Sequence, residues 1–334
     1  MTASLWSEAG KALRALLAPR AETCLACGRF SRIGAELPLL CAQCAARVAW
    51  IVRPRCPVCG RAHGCPDCLR PDSLRRDFVL NRSAALYDAQ MREWIAEYKY
   101  RGRELFAEPF AAMLEQAYLR MCRELSRAPA GSWLHGAAYG ACGFNTSAER
   151  PDSAAGQYQA AGHPLRDPAF SRTRPSTGLP MKSFFSGSSA RPSAWSADLI
   201  TWVPVSLERL RERGFNQAEL AARSLSRRIG VPACDLLARN LHTVKQSSRN
   251  RAERLRNLDG AFSLIPNLDP GGFKKWDLIG KKKGPGGSFP IRLLLVDDIY
   301  TTGSTAALCA SALKDLQNLA GVPVSIYVLT LARS

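Results

Sequence analysis

The sequence predicts an α/β protein, a parallel sheet with helices on both faces, preceded by a small cysteine-rich module. Three observations lead to that reading. Eight of the twelve cysteines fall between Cys24 and Cys68, as four C-x2-C pairs. From Leu199 onward, short apolar runs alternate with helical patterns, which is the strand–helix–strand order of a parallel sheet. One of those runs delivers two adjacent acids at its carboxyl end, directly before a turn rich in hydroxyls and glycine.

Composition sets the outer bounds. The chain has 334 residues, 46% hydrophobic and 22% charged, which are ordinary globular values and exclude wholesale disorder. Its length suits about two domains. No apolar run reaches the roughly 18 residues that a spanning helix needs, so the chain is read as not membrane-spanning. In residues 1–20, Glu8, Lys11 and Arg14 interrupt the apolar positions, so no signal-like apolar region forms. Leu5, Ala9, Leu13, Leu16 and Leu17 recur at helical spacing and predict an amphipathic helix there. A cytoplasmic location follows as the expectation, with its thiols reduced. Lys and Arg total 46 against 28 Asp and Glu, a net charge of +18. That excess favours an anionic partner: nucleic acid, a phosphorylated metabolite or anionic lipid.

The cysteine pairs are Cys24/Cys27, Cys41/Cys44, Cys56/Cys59 and Cys65/Cys68. Each C-x2-C turn presents two thiolates to one metal, and two turns complete the tetrahedral shell that zinc prefers. Gly28 and Gly60 follow the second cysteine of two pairs and let the backbone fold tightly around the sulfurs. Residues 21–70 therefore read as a double zinc ribbon with one or two structural zinc ions. So short a segment buries too little core to fold without metal. Sequential pairing is the simplest arrangement, and interleaved pairing stays open. His63 lies between Cys59 and Cys65, either as a substitute ligand or as a solvent-facing loop residue. Cys122, Cys142, Cys234 and Cys309 show no ligand spacing.

Beyond the cysteines, residues 78–334 read as one α/β domain carrying two insertions. Ala84 to Tyr100 has helical periodicity through Leu86, Met91, Trp94, Ile95 and Tyr98, ending at Gly102, and a second helix runs from about Leu105 to Leu125. In residues 128–197, 29 of 70 are Gly, Pro, Ser or Thr and the apolar residues show no period, so this stretch reads as a flexible insertion. Leu199 to Val205 reads as a buried strand ending at a loop. Asn216 with Glu219 then caps a helix that runs to Gly230. Leu236–Leu241 and Ala261–Ile265 are short ordered pieces around a basic loop, and residues 266–290, with six glycines, read as a second flexible insertion. Arg292 to Asp298 is a buried strand, Ser304 to Leu319 a helix, and Val324 to Leu331 the last strand.

The stretch Ile291 to Thr305 carries the chemistry. Ligands of open α/β sheets bind outside the carboxyl ends of the strands, where Asp297 and Asp298 fall. The amides of Thr301, Thr302, Gly303, Ser304 and Thr305 would then cradle an anion at a helix N-terminus. Two carboxylates before a phosphate cradle suit a sugar phosphate. There is no Gly-Lys-Ser/Thr of a Walker loop and no G-x-G-x-x-G.

This segment resembles the phosphoribosyl-pyrophosphate (PRPP) motif of type I phosphoribosyltransferases. Val203-Pro204-Val205, the block Arg209 to Gln217, then Thr243, Gln246, Arg251, Arg254, Asn257 and Gly260-Ala261-Phe262 resemble the ComF family of competence proteins, as does Tyr98 to Gly102. That family joins a zinc ribbon to a type I phosphoribosyltransferase-like domain. The resemblance implies that Asp297 and Asp298 hold ribose hydroxyls, directly or through Mg²⁺, and that Thr301 to Thr305 hold the 5-phosphate. Arg209, Arg211 and Arg213 would lie near the pyrophosphate, and Gln246, Arg251 and Arg254 on a mobile basic loop. It implies a role in DNA uptake, with single-stranded DNA and proteins of the uptake machinery as partners. An active phosphoribosyltransferase with an unknown acceptor, or a zinc-ribbon adaptor, are the alternatives. Thr201 to Arg256 holds twelve basic and five acidic residues, a face able to track phosphates.

Overall fold

The computed structural model describes residues 21–65, 68, 76–127, 195–240, 260–266, 283–284, 287–288 and 290–334. They belong to one compact unit. The expectations for the helix at 1–20, for nearly all of the insertion at 128–197 and for Thr243, Gln246, Arg251, Arg254 and Asn257 lie outside the described residues.

The elements run β1 (Ala21–Thr23), β2 (Phe30–Arg32), α1 (Ala42–Ala46), β3 (Asn81–Leu86), α2 (Ala89–Tyr100) and, after a 3-10 turn, α3 (Ala107–Arg127). They continue with β4 (Leu199–Trp202), α4 (Leu207–Arg213), α5 (Gln217–Ile229), β5 (Leu237–Arg239), β6 (Phe262–Leu264), β7 (Lys283–Gly284) and β8 (Gly287–Ser288). The last are β9 (Ile291–Tyr300), α6 (Ser304–Lys314), α7 (Leu316–Ala320) and β10 (Val324–Arg333). The main sheet has the order β3-β10-β9-β4, and every pairing in it is parallel. The predicted parallel α/β sheet behind a cysteine module is therefore the architecture found.

Alternation along β9 and β10 divides the interior into two cores. Leu294, Val296, Tyr327, Leu329 and Leu331 face one side with α2, α3 and α5. Leu293, Leu295, Ile326 and Val328 face the other with α6, β5 and β6. A parallel sheet buried on both faces needs continuous apolar runs, which both strands supply.

The cysteine module closes one edge of the sheet. Residues 49–58 hydrogen-bond to the free side of β3, through Leu86 N to Ala49 O (2.8 Å), Ile51 N to Ala84 O (2.9 Å) and Asn81 N to Val58 O (2.7 Å). Cys24, Cys41 and Cys44 join the first core, whereas Cys56 and Cys59 join the second, so the module straddles the edge. It thereby covers unpaired strand groups that would otherwise template association.

Several expectations need correction. The helical pattern from Ala84 includes part of a strand, since β3 occupies Asn81–Leu86 and the helix begins at Ala89, capped by Asp88 accepting from Met91 N at 2.8 Å. Asn-Arg-Ser-Ala-Ala-Leu has no β-branched residue, and hydrogen bonding on both edges outweighs that weak propensity. The expected loop after Val205 contains a helix, α4, started by Ser206 and closed by left-handed Gly214. The single helix expected over 304–319 is two, α6 and α7. The described residues include 195–197, the last three of the predicted insertion: the Trp195 ring centroid lies 4.6 Å from that of Tyr327, and the Trp195 amide donates to Ser126 Oγ at 2.8 Å. Within the second predicted insertion, β7 and β8 form a short antiparallel pair.

Leu294 is fully buried in the central strand β9. Leu294→Ala should cost about 2–5 kcal/mol of stability, read as a lowered urea midpoint. An unchanged midpoint would show that this strand is not core.

Candidate functional site

The four cysteine pairs assemble sequentially, which settles the open pairing. Cys24, Cys27, Cys41 and Cys44 form one cluster and Cys56, Cys59, Cys65 and Cys68 the other, each with its sulfurs within 4.8 Å of one another. Tetrahedral zinc with bonds of about 2.3 Å sets sulfur pairs about 3.8 Å apart. The observed pairs Cys27–Cys41 at 3.9 Å and Cys56–Cys68 at 3.6 Å fit that shell, while Cys59–Cys65 at 3.2 Å is closer than a tetrahedral ion would set it. Knuckle amides donate to sulfur, Cys44 N to Cys41 and Cys59 N to Cys56, both at 3.4 Å. Gly60 is obligatory twice over: its φ is +71°, and a Cβ there would lie 2.6 Å from Asn81 O. His63 is exposed, and all eight ligand places are taken by cysteine.

The second cluster has cationic neighbours. Arg76 Nη1 donates to Cys68 Sγ at 3.0 Å and Arg333 Nη2 to Cys59 Sγ at 3.6 Å. Four thiolates around a Zn²⁺ ion would carry a net −2, which the two guanidinium groups would balance.

The acid pair stands at the carboxyl end of β9, inside the strand rather than after it, because pairing with β10 continues to Tyr300 opposite Arg333. Between β4 and the next strands of the chain, α5 packs on one face of the sheet, and α6, after β9, packs on the other, so the crevice between the neighbouring strands β4 and β9 is a topological switch point. Three stretches far apart in sequence meet there. Lys99 Nζ lies 2.5 Å from Asp298 Oδ2. Tyr98 donates its hydroxyl to Gln217 O at 3.0 Å and packs its ring 5.4 Å from Phe215. Tyr98, Gln217, Asp297 and Asp298 line one small cavity. Asn216 pins this corner by donating to Val203 O at 3.2 Å and accepting from the amides that open α5.

Electrostatics separates the two acids. Burial, then the charge of Asp298, pushes the Asp297 carboxyl up to about 7, against the pull of the Asp298 amide and Lys99. That amide donates to Asp297 Oδ1 at 2.8 Å. Asp298 has Lys99 as its counterion.

In the following turn Thr301, Thr302 and Thr305 are exposed, and Gly303 is the left-handed residue before α6, with φ +82°. The requirement for glycine comes from below: a Cβ at 303 would lie 2.1 Å from the Tyr300 hydroxyl. Ser304 N donates to Thr302 Oγ1 at 3.4 Å, while Gly303, at the N-cap of α6, makes no side-chain capping bond. Of the three arginines expected near pyrophosphate, Arg213 reaches this corner. It donates to Gln217 Oε1 at 2.9 Å and lies 5.1 Å from the Tyr100 ring centroid. Arg209 and Arg211 are exposed on α4. Sequence reading missed the Lys99–Asp298 ion pair and the whole of Arg76, Tyr300 and Arg333. Only the Lys99 block carried a signal, through its resemblance.

Fold and clusters together define a protein in which a double four-cysteine module is built onto a parallel α/β domain with an acid pair at its switch point. No family model matches the chain. It is similar to competence protein F of Haemophilus influenzae, 33% identical over 118 residues that cover 34% of this chain and 44% of that protein. It is also similar to competence protein ComFC of Bacillus subtilis, 24% identical over 302 residues, 88% of this chain and 84% of that protein. The chain is thus similar to two competence proteins, F and ComFC. Among the described residues, no helix is long and apolar enough to cross a membrane.

Two measurements test the site. Elemental analysis should find two zinc ions per chain, one for each cluster, and one in Cys27→Ser. A single zinc in the wild type would mean that one cluster does not bind metal. The raised Asp297 carboxyl binds its proton more tightly folded than unfolded, so its contribution to stability falls as pH rises from about 4 to about 7. Urea midpoints at pH 5 and pH 7.5 should fall further in the wild type than in Asp297→Asn. Equal falls would exclude the shift.

Proposed function

We propose that this protein binds PRPP or a related sugar phosphate with Mg²⁺ at the carboxyl end of β9, and serves DNA uptake from the cytoplasmic side. The observation that carries the ligand reading is the convergence of Tyr98–Lys99, Arg213–Gln217 and Asp297–Asp298 on one crevice. Asp297 and Asp298 hold the ribose hydroxyls, directly or through Mg²⁺, which accepts one or two carboxylates alongside substrate phosphates. When bound, Mg²⁺ would neutralise phosphate charge. The turn from Thr301 to Thr305 takes the 5-phosphate on its amides, with the positive end of α6 behind it.

Arg213, held between Gln217 and Tyr100, faces the pyrophosphate side, with Arg209 and Arg211 adding positive potential from α4. Preorganised cations stabilise a highly charged leaving group, so the same arrangement would serve phosphoribosyl transfer. Lys99 stands where a cation is needed and must share Asp298 with any metal that enters. The place in DNA uptake rests on the names of both relatives, competence protein F and competence protein ComFC. Partners there would be single-stranded DNA or proteins of the uptake machinery.

The combined substitution Asp297→Asn and Asp298→Asn should abolish PRPP binding in equilibrium titration of zinc-loaded protein, while electrostatic attraction to single-stranded DNA stays equal or grows. PRPP affinity equal to wild type would overturn the assignment.

A further inference from the structure

We propose that Arg333 is a positioning residue that ties the second cysteine cluster to the Thr301–Thr305 turn, so that the turn's grip on a phosphate depends on metal at that cluster. The ligand class rests on the reading above; the coupling rests on the contacts that follow.

Arg333, the last residue of β10, is 2% exposed. Its guanidinium spans two structures far apart in sequence. On one side Nη2 meets Cys59 Sγ at 3.6 Å. On the other, Nη1 donates to Thr301 O at 2.8 Å, to Tyr300 O at 3.3 Å and to Ser334 O. A buried guanidinium is costly unless its donors find partners and its charge an anion. Here the carbonyls supply the partners and the thiolate cluster supplies the anion.

Peptide geometry turns this anchor into a device. In a planar trans peptide the C=O of one residue and the N–H of the next point in opposite directions. Drawing Tyr300 O and Thr301 O inward to Arg333 therefore turns the amides of Thr301 and Thr302 outward, toward the side where an anion would sit. Tyr300 reinforces the arrangement. Its ring centroid lies 4.9 Å from the Arg333 guanidinium, and its hydroxyl lies directly beneath Gly303. The Tyr300 ring also meets Phe78 edge-on at 6.4 Å, and Phe78 lies under Arg76, which donates to Cys68. Two paths thus connect the cluster to the turn, one through Cys59 and Arg333, the other through Cys68, Arg76, Phe78 and Tyr300. Metal fixes the sulfurs, the sulfurs fix the arginines, and these fix the turn.

The test uses the full zinc-loaded chain with Arg333→Met and Arg333→Lys. Zinc content and thermal unfolding first establish that each variant is folded and metallated. Ribose 5-phosphate, which needs the turn, and magnesium pyrophosphate, which does not, are then titrated separately. Arg333→Met should lose roughly ten- to a hundredfold in ribose 5-phosphate affinity, the scale on which removing an outer partner that orients binding groups acts, and keep pyrophosphate affinity. Arg333→Lys, which keeps the charge without the planar fork, should recover only part of the loss. Unchanged ribose 5-phosphate affinity in Arg333→Met, or equal loss of both ligands, would overturn the proposal.

If the wild type binds no ribose 5-phosphate, the sugar-phosphate reading fails by itself. Amide hydrogen exchange over residues 300–305 then decides the coupling: faster in Arg333→Met than in wild type if Arg333 positions the turn, equal if it does not. Stripping zinc from the wild type should speed the same amides.

Discussion

The pairing of β9 with β10 is the constraint on which the rest of the structure depends. All ten residues of β10 are buried, and it lies between β3 and β9. Its register sets Thr330 beside Asp297 and Arg333 beside Tyr300, so one strand aligns the acid pair and the turn that follows it. Through β3 the same strand receives the cysteine module, whose second knuckle fits Gly60 against Asn81. Buried polar contacts fix that register. Ser83 and Thr330 share a hydrogen bond of 2.6 Å, and Asn81 donates to Cys59 O at 3.0 Å. A slip of one residue would turn every side chain of β10 to the opposite face and strand these groups without partners.

This arrangement changes what the cysteine module is. Spacing alone suggests an appendage that metal folds independently. In the structure its segment 49–58 completes the hydrogen bonding of β3, its two clusters reach the two cores separately, and Arg82 ties it to α3 by contacting both Pro57 O and Glu124. Cysteine clusters, sheet edge and crevice form one contiguous body. A requirement for zinc in ligand binding would then be a property of the domain itself and need no separate regulatory step.

The sequence made legible what depends on local chemistry. The C-x2-C pairs, the Asn216 cap, the apolar runs of β9 and β10, and the acids before a glycine turn are each defined by neighbours within a few residues. What escaped depends on neighbours far away. β3 lacks strand propensity and exists because both its edges are bonded. Arg333 follows an apolar run in which nothing signals that it bonds to Cys59, 274 positions earlier. The reason for Gly303 was half visible: a turn before a helix suggests glycine, but the Tyr300 hydroxyl beneath it emerges only in three dimensions. Lys99 was legible as part of a resemblance, and only its placement against Asp298 gives it a chemical role.

The central claim is that the crevice at the end of β9 is a sugar-phosphate site assembled by β9, β10 and the metal-bound module. The most direct measurement is a crystal structure of zinc-loaded protein grown with PRPP and Mg²⁺. Density for the 5-phosphate against the amides of Thr301 to Thr305, with ribose at Asp297 and Asp298, is the expected result. An empty crevice at saturating PRPP, or ligand bound elsewhere on the surface, would contradict the claim.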